Sequence, residues 1–207
     1  MGWFSKTDEA PAKRKQKTQK RRYSAGVIDR LSGDFKGSTL SANGELVGSL
    51  AIMRSRSRDL CMNNDYARKF LAMTSANVIG THGIKMQARS RRDDGTLDRA
   101  DNQAIEAAFT DWANIESCTV TGRQSWIDVQ NMAIKSIARD GEVLVVMVRG
   151  FDNKFGFALQ VVEADQLDEN YNTTLGNGNR IVMGVELNEW GAAVAYHLLT
   201  SHPGDYT

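Results

Sequence analysis

The feature that most constrains this chain is a change of hydrophobic period at Asp140-Gly141. Before it, apolar side chains recur every three or four residues, the spacing of one helix face. After it, they alternate, the spacing of one strand face. Helical segments first and strands afterwards imply an α+β fold, because a repeating βαβ unit would interleave the two. The expected architecture is N-terminal helices packed on a mainly antiparallel β unit, with no internal repeat.

Within the helical part, Asn63-Asn64-Asp65 interrupts the pattern and offers cap side chains. A helix is expected from about Asp65 to Val78, led by a shorter one over about Arg54–Met62. Leu60, Ala67, Leu71, Thr74 and Val78 form its apolar row, with Tyr66, Phe70 and Met73 widening the stripe. Asn77 to Gly83 breaks the pattern, and Gly80 suits a left-handed C-terminal position. Ile84–Ala88 alternates like a strand. After a charged loop, Arg89–Thr96, a second helix is expected near Ala100–Ile115, with Ile105, Ala108, Phe109 and Trp112 on one face. A third runs over about Ser125–Arg139, with Val129, Ala133 and Ile137 beside Trp126, Ile134 and Ala138.

Beyond Gly141, Glu142–Arg149 reads EVLVVMVR, apolar on both faces, which is the pattern of a central buried strand. Phe155, Phe157, Leu159 and Val161 alternate next. Met183, Val185 and Leu187 then lead through the turn Asn188–Gly191 to a partner strand over Ala193–Leu199.

The net charge of +1 hides an asymmetry. Residues 1–22 hold eight Lys/Arg against Asp8 and Glu9, a balance of +6, and the other 18 basic and 23 acidic residues give −5. Residues 1–24 therefore read as a basic arm, disordered in isolation, whose Lys13, Arg14, Lys15, Lys17, Lys20, Arg21 and Arg22 are the candidate contacts to nucleic acid or capsid. Residues 25–53, rich in glycine and serine over 32–49, read as an irregular connection with at most a short strand. Residues 54–207 form the α+β domain, and the stop at HPGDYT just beyond a strand suggests that it is incomplete at its C-terminus.

Compartment signals point to an intracellular product. The start, MGWFSKTDEAPAKRKQ, carries no apolar signal core, and no run approaches the roughly 20 apolar residues of a membrane helix. Cys61 and Cys118 stand far apart without neighbouring cysteines and read as reduced.

Catalytic signatures are missing where they would be legible. No GxxxxGK[ST] or GxGxxG opens a helix, and Gly176-Asn177-Gly178 leads into a strand, so it reads as a turn and not a phosphate cradle. His82, His197 and His202 are scattered, and a His/Cys site would require Cys61, His82 and Cys118 to converge in the fold. Glu142, Glu163 and Asp165 lie near strand ends, where paired acids can hold Mg²⁺ for phosphodiester hydrolysis. The more economical reading places them at polar strand ends, without the lysine that common nuclease sheets carry. Trp112 and Trp126 can stack bases, but their positions on apolar helix faces favour core packing. The chain is therefore read as a non-enzyme with no cofactor and no metal.

A series of local patterns resembles the lambda-type bacteriophage portal family in the same order. RSRSRDLCMNNDYARKFLAMTSANVIGTHGIKMQAR (Arg54–Arg89) is similar to its arginine-rich segment, Asn-Asn turn and Tyr-Ala-Arg helix. FTDWANIESCTVTGRQSWIDVQ (Phe109–Gln130) is similar to its acidic Trp-containing helix and following loop. ARDGEVLVVMV, LQVVEADQLD, GVELNEWGAAVAYHL and HPGD complete the series, from about residue 50 to the end. Asp65 stands where the family often has proline, Cys61 and Met62 replace more usual aliphatic and basic residues, and the first 50 residues match no part of the pattern.

The resemblance implies the outer, wing-like part of a structural subunit in a ring, usually dodecameric, at one capsid vertex. Such a ring is the conduit for packaging and ejection of double-stranded DNA. Its partners would be further copies of itself, the terminase large subunit that supplies the chemical energy, the major capsid protein or scaffold, and head-completion proteins, with no membrane. It would be assembled in the host cytoplasm and carried in the virion. An acidic body suits a conduit that must not grip phosphate. The competing expectations are a nucleic-acid-binding module acting through the basic arm and, third, a Mg²⁺-dependent nuclease.

Overall fold

The computed structural model describes Arg30 and residues 39–205. Residues 41–205 belong to one compact unit, and only this unit is described below. Among the described residues, six helices come first and two antiparallel sheets follow, the α+β order expected from the change of period.

Helix α1 (Ala42–Leu46) is a short element capped by Ser41, whose hydroxyl accepts from the Gly44 N–H. It lies within the stretch expected to be irregular, and α2 (Leu50–Asn63) begins before Arg54, so residues 42–46 and 50–53 of that stretch are helical. The serine cap favours the turn, and Leu50, Ala51 and Met53 are residues that extend a helix readily.

Helix α3 (Asp65–Val78) starts where the Asn-Asn turn predicts, with Asn64 Oδ1 accepting from the N–H groups of Tyr66 and Ala67. It packs on α2 and α6, but through Ala67, Leu71, Thr74 and Ser75. Tyr66 is 87% exposed and Phe70 58%, so they do not widen the buried row but face outward with Met73, Val78 and Leu60. The helix is apolar on both sides, and only one side meets the rest of the unit.

Ile84–Ala88 forms no strand and pairs with none among the described residues. Side chains from two helices stand in for one. Gln130 bonds both backbone groups of Ile84 (2.6 and 3.1 Å), Glu106 accepts from the Ala88 N–H (2.9 Å), and Asn102 bonds both backbone groups of Ser90 (2.6 and 3.1 Å). Those contacts fall on residues 84, 88 and 90, all on one side of the segment, because an extended chain presents its N–H and C=O to one side at every second residue.

Asp98 caps α4 (Arg99–Trp112), which ends earlier than expected because Asn114 is extended (ψ 160°). A separate turn, α5 (Ile115–Cys118), follows it. α6 (Trp126–Asp140) opens with a capping box between Ser125 and Asp128 and closes on Gly141 at φ 88°.

β1 (Leu144–Arg149) and β2 (Phe157–Val162) form the first sheet. A 3₁₀ turn (Ala164–Gln166) leads to the second sheet, in which β3 (Thr173–Thr174), β4 (Arg180–Val182), β5 (Val185–Leu187) and β6 (Ala193–Tyr196) are adjacent in chain order. Gly176–Gly178 is the β3–β4 turn, closed by Gly178 N–H to Leu175 O (3.1 Å). β1 is not a buried central strand: among the described residues it pairs with β2 alone, and Met147 is 63% exposed. β2 is the buried partner, because the apolar core lies over it.

That core is Trp112, Cys118, Val129 and Leu159, with Phe109, Trp126 and Phe157 packed against it. The Trp112 ring lies 5.5 Å from those of Phe109 and Phe157 and 5.9 Å from that of Trp126, and its Nε1–H donates to Phe157 O (3.2 Å). Both tryptophans are core residues and neither offers a base-stacking platform.

Candidate functional site

The charged residues near the strand ends converge on two arginines. Arg54 and Arg58, four apart on α2, share one helix face and point at the junction of α6, β1 and the 163–169 segment. Arg54 is 3% exposed. One of its terminal nitrogens bonds Glu142 closely, and the other lies 3.6 Å from Asp165 and 3.5 Å from Glu169. Its Nε is buried with no partner among the described residues. Arg58 Nε bonds Asp140 at 2.8 Å, and its terminal nitrogen bonds Asp165 closely. Arg139 adds a second cation on Asp140 (2.7 Å), and Ser57 Oγ donates to Arg139 O (2.6 Å).

This pairing sets the protonation of the cluster. Burial works to raise the Asp140 carboxyl, but the hydrogen bonds from Arg139 and Arg58 outweigh it and hold the group below the ordinary carboxylate value. Burial likewise opposes ionisation of Asp165, and Arg58, then His202 and Arg54, hold it low. The Arg58 guanidinium is raised further by its bond to Asp140, against the opposing effect of burial.

At the solvent side of the cluster, His202 Nε2 lies 3.3 Å from Glu163 and 3.4 Å from Asp165. Among the described residues these three form the one His/Cys/Asp/Glu group whose ligand atoms, all within 4.8 Å of one another, can share an ion. Cys61, His82 and Cys118 do not converge. The fit to a divalent cation is poor, because Asp165 already serves two guanidinium groups and Glu163 is 69% exposed. Of the three acids considered for phosphodiester chemistry, Glu142 and Asp165 are held by arginine and Glu163 is turned to the solvent side, so they do not frame a shared metal site.

Lys13, Arg14, Lys15, Lys17, Lys20, Arg21 and Arg22 lie outside the described residues. Sequence reasoning singled out the arginine-rich segment but not the role of Arg54 and Arg58. Their four-residue spacing was the available signal, and Arg56, off that face, is exposed. No helix among the described residues is long and apolar enough to cross a membrane.

Comparison with known proteins adds two findings. The family described as phage portal protein, lambda family, matches residues 29–207, so the likeness starts well before residue 50. A protein named "Probable portal protein" from Halomonas phage phiHAP-1 is 39% identical over 202 residues, which are 96% of this chain. The chain spans 39% of that relative's length.

Proposed function

The chain belongs to the lambda family of phage portal proteins, and we propose that it is a structural subunit of the ring at one capsid vertex, part of the conduit for packaging and ejecting double-stranded DNA. The match across residues 29–207 carries this reading. The arginine cluster supports it, because the acids best placed for catalysis are committed to fixing helices against strands. The subunit then performs no reaction of its own and binds no cofactor. The terminase large subunit, docked on the ring, supplies the energy.

The remaining partners are further copies closing a dodecamer, the major capsid protein or scaffold around it, and head-completion proteins beyond it. Assembly takes place in the host cytoplasm and the product resides in the virion. The domain order follows the charge split: residues 1–24 are the basic arm, with Lys13 to Arg22 touching packaged DNA, scaffold or the inner capsid, and the wing-like body follows.

Negative-stain microscopy of the polypeptide as the phage encodes it tests the ring. Rings with a central hole are expected, and monomers or dimers with salt-dependent DNA affinity would replace this reading with a DNA-binding module. Cleavage of plasmid DNA in Mg²⁺ that is lost on Glu163→Ala or Asp165→Ala would replace it with a nuclease. Deleting residues 1–24 is expected to impair assembly or packaging, and unchanged rings and packaging would remove the role given to the arm.

A further inference from the structure

Residues 84–90 run between α3 and α4 and belong to no helix or strand. Only Met86 and Ala88 among them are half-buried, and the rest are exposed, Ile84 at 59%. Apolar burial therefore does little to hold the segment down. Among the described residues it has no backbone-to-backbone hydrogen bond within itself.

Its ties are a few helix side chains. Gln130 of α6 bonds the N–H and C=O of Ile84, and Glu106 of α4 accepts from the Ala88 N–H. Ser90 is fixed twice over, by the Asn102 side chain and by Asp98 N–H, which donates to Ser90 O (3.0 Å) at the cap of α4. The firm end is therefore Ser90, and residues 84–89 hang on Gln130 and Glu106 alone among the described residues. A tie given up to water costs far less than one left unmade in a dry interior, so this stretch is the cheapest part of the unit to release.

The other end is built to pivot. Gly83 enters the segment at φ +68°, and an added Cβ would meet Ile127 Cγ1 at 3.0 Å and Gln130 Oε1 at 3.3 Å, so only glycine brings the chain this close to α6. Behind the segment lies a cleft of about 470 Å³, lined by Ile84, Lys85 and Met86 on one side and by Phe109, Ala113 and Trp126 on the other. Phe109 and Trp126 pack on the core from this side.

We propose that residues 84–89 form a strap that lifts from α4 and α6 about Gly83 and Ser90 while the rest of the unit stays folded, opening the cleft to Phe109 and Trp126. The strap moves as one piece, because the chain between the Gln130 and Glu106 ties has no bond of its own to hold it when either is lost. The device belongs to the single chain and is independent of the ring reading.

Native-state amide exchange on the wild-type polypeptide tests this. The Ile84 and Ala88 amides are expected to share one protection factor, about tenfold or more below those of Ser90 and the α6 interior. Glu106→Ala removes a tie to Ala88 only, yet it should lower protection at Ile84 by the same factor and leave α6 unchanged. In a Cys61→Ser background, a maleimide should modify the Ala113→Cys variant in the cleft, faster by that factor once Glu106→Ala is added. A loss confined to Ala88 would overturn the proposal, since the segment then frays residue by residue. So would a loss shared by α6, which is opening of the whole unit, or labelling that ignores Glu106→Ala. If a variant misfolds, the wild-type pattern still decides: Ile84 and Ala88 protected as well as α6 leaves no strap.

Discussion

Replacing Arg54 by methionine should destabilise the unit more than any single surface change. The guanidinium is 3% exposed and faces Glu142, Asp165 and Glu169, whose side chains are 35%, 16% and 24% exposed. Methionine keeps much of the aliphatic stem but leaves three carboxylates around an empty cation position. Breaking a buried ion pair from one side costs about 3–5 kcal/mol. The partial solvent access of the carboxylates discounts that toward the lower bound, about 3 kcal/mol. For a domain of this size the loss lowers the melting temperature by roughly 6–12 °C. Urea unfolding should show a lower midpoint at unchanged slope. The triple variant Arg54→Met/Glu142→Gln/Glu169→Gln should recover much of the loss, because it removes the two carboxylates that Arg54 alone pairs while Asp165 keeps Arg58. The unpartnered Nε already makes the wild-type arrangement costly. A loss below about 1 kcal/mol for the single variant, or a triple variant no better than the single, would refute the reasoning.

Asp140 and Asp165 have depressed folded values, so their contribution is present above the ordinary carboxylate pKa of about 3.9 and lost as pH falls through the lower folded values. Acid titration followed by circular dichroism should show that loss, and Arg58→Met should move its onset to higher pH. Gly184 sits at φ +79°, and an added Cβ would lie 2.7 Å from the carbonyl oxygen of Asp168, so Gly184→Ala should cost about 2 kcal/mol or more in urea unfolding. Burial, helped by Asp128, pushes the Cys118 thiol up to about 11. At pH 8 a thiol reagent should therefore titrate at most one cysteine in the native protein and two after denaturation.

Much of the fold was legible because local rules and tertiary packing agree there. Asn64, Ser125 and Gly141 cap helices where their chemistry says they should, and the helix-to-strand order follows from the change of period at Asp140-Gly141. The aromatic core was legible for the same reason, since Phe109, Trp112 and Trp126 had to lie on apolar helix faces and do. Turn chemistry served equally well at Gly176–Gly178.

What periodicity could not supply is the number of neighbours. Alternation at Ile84–Ala88 reports an extended backbone, but Gln130, Glu106 and Asn102 satisfy it from positions 46, 18 and 12 residues away, so no ladder forms. Apolar residues on both faces of β1 ask for cover on both faces, and the described part of one copy provides it mainly over β2. The outward Tyr66 and Phe70 on α3 pose the same difficulty, because side-chain chemistry records what a surface needs and not which molecule meets the need. The arginine cluster was hidden for a different reason. Its acids come from 140 and 142, on either side of Gly141, and from 165 and 169 in a later segment, and only the folded chain brings them onto the Arg54/Arg58 face. A four-residue spacing of arginines tells that they share a face but not that the face is buried, and burial is what turns two ordinary surface charges into the joint between helices and strands.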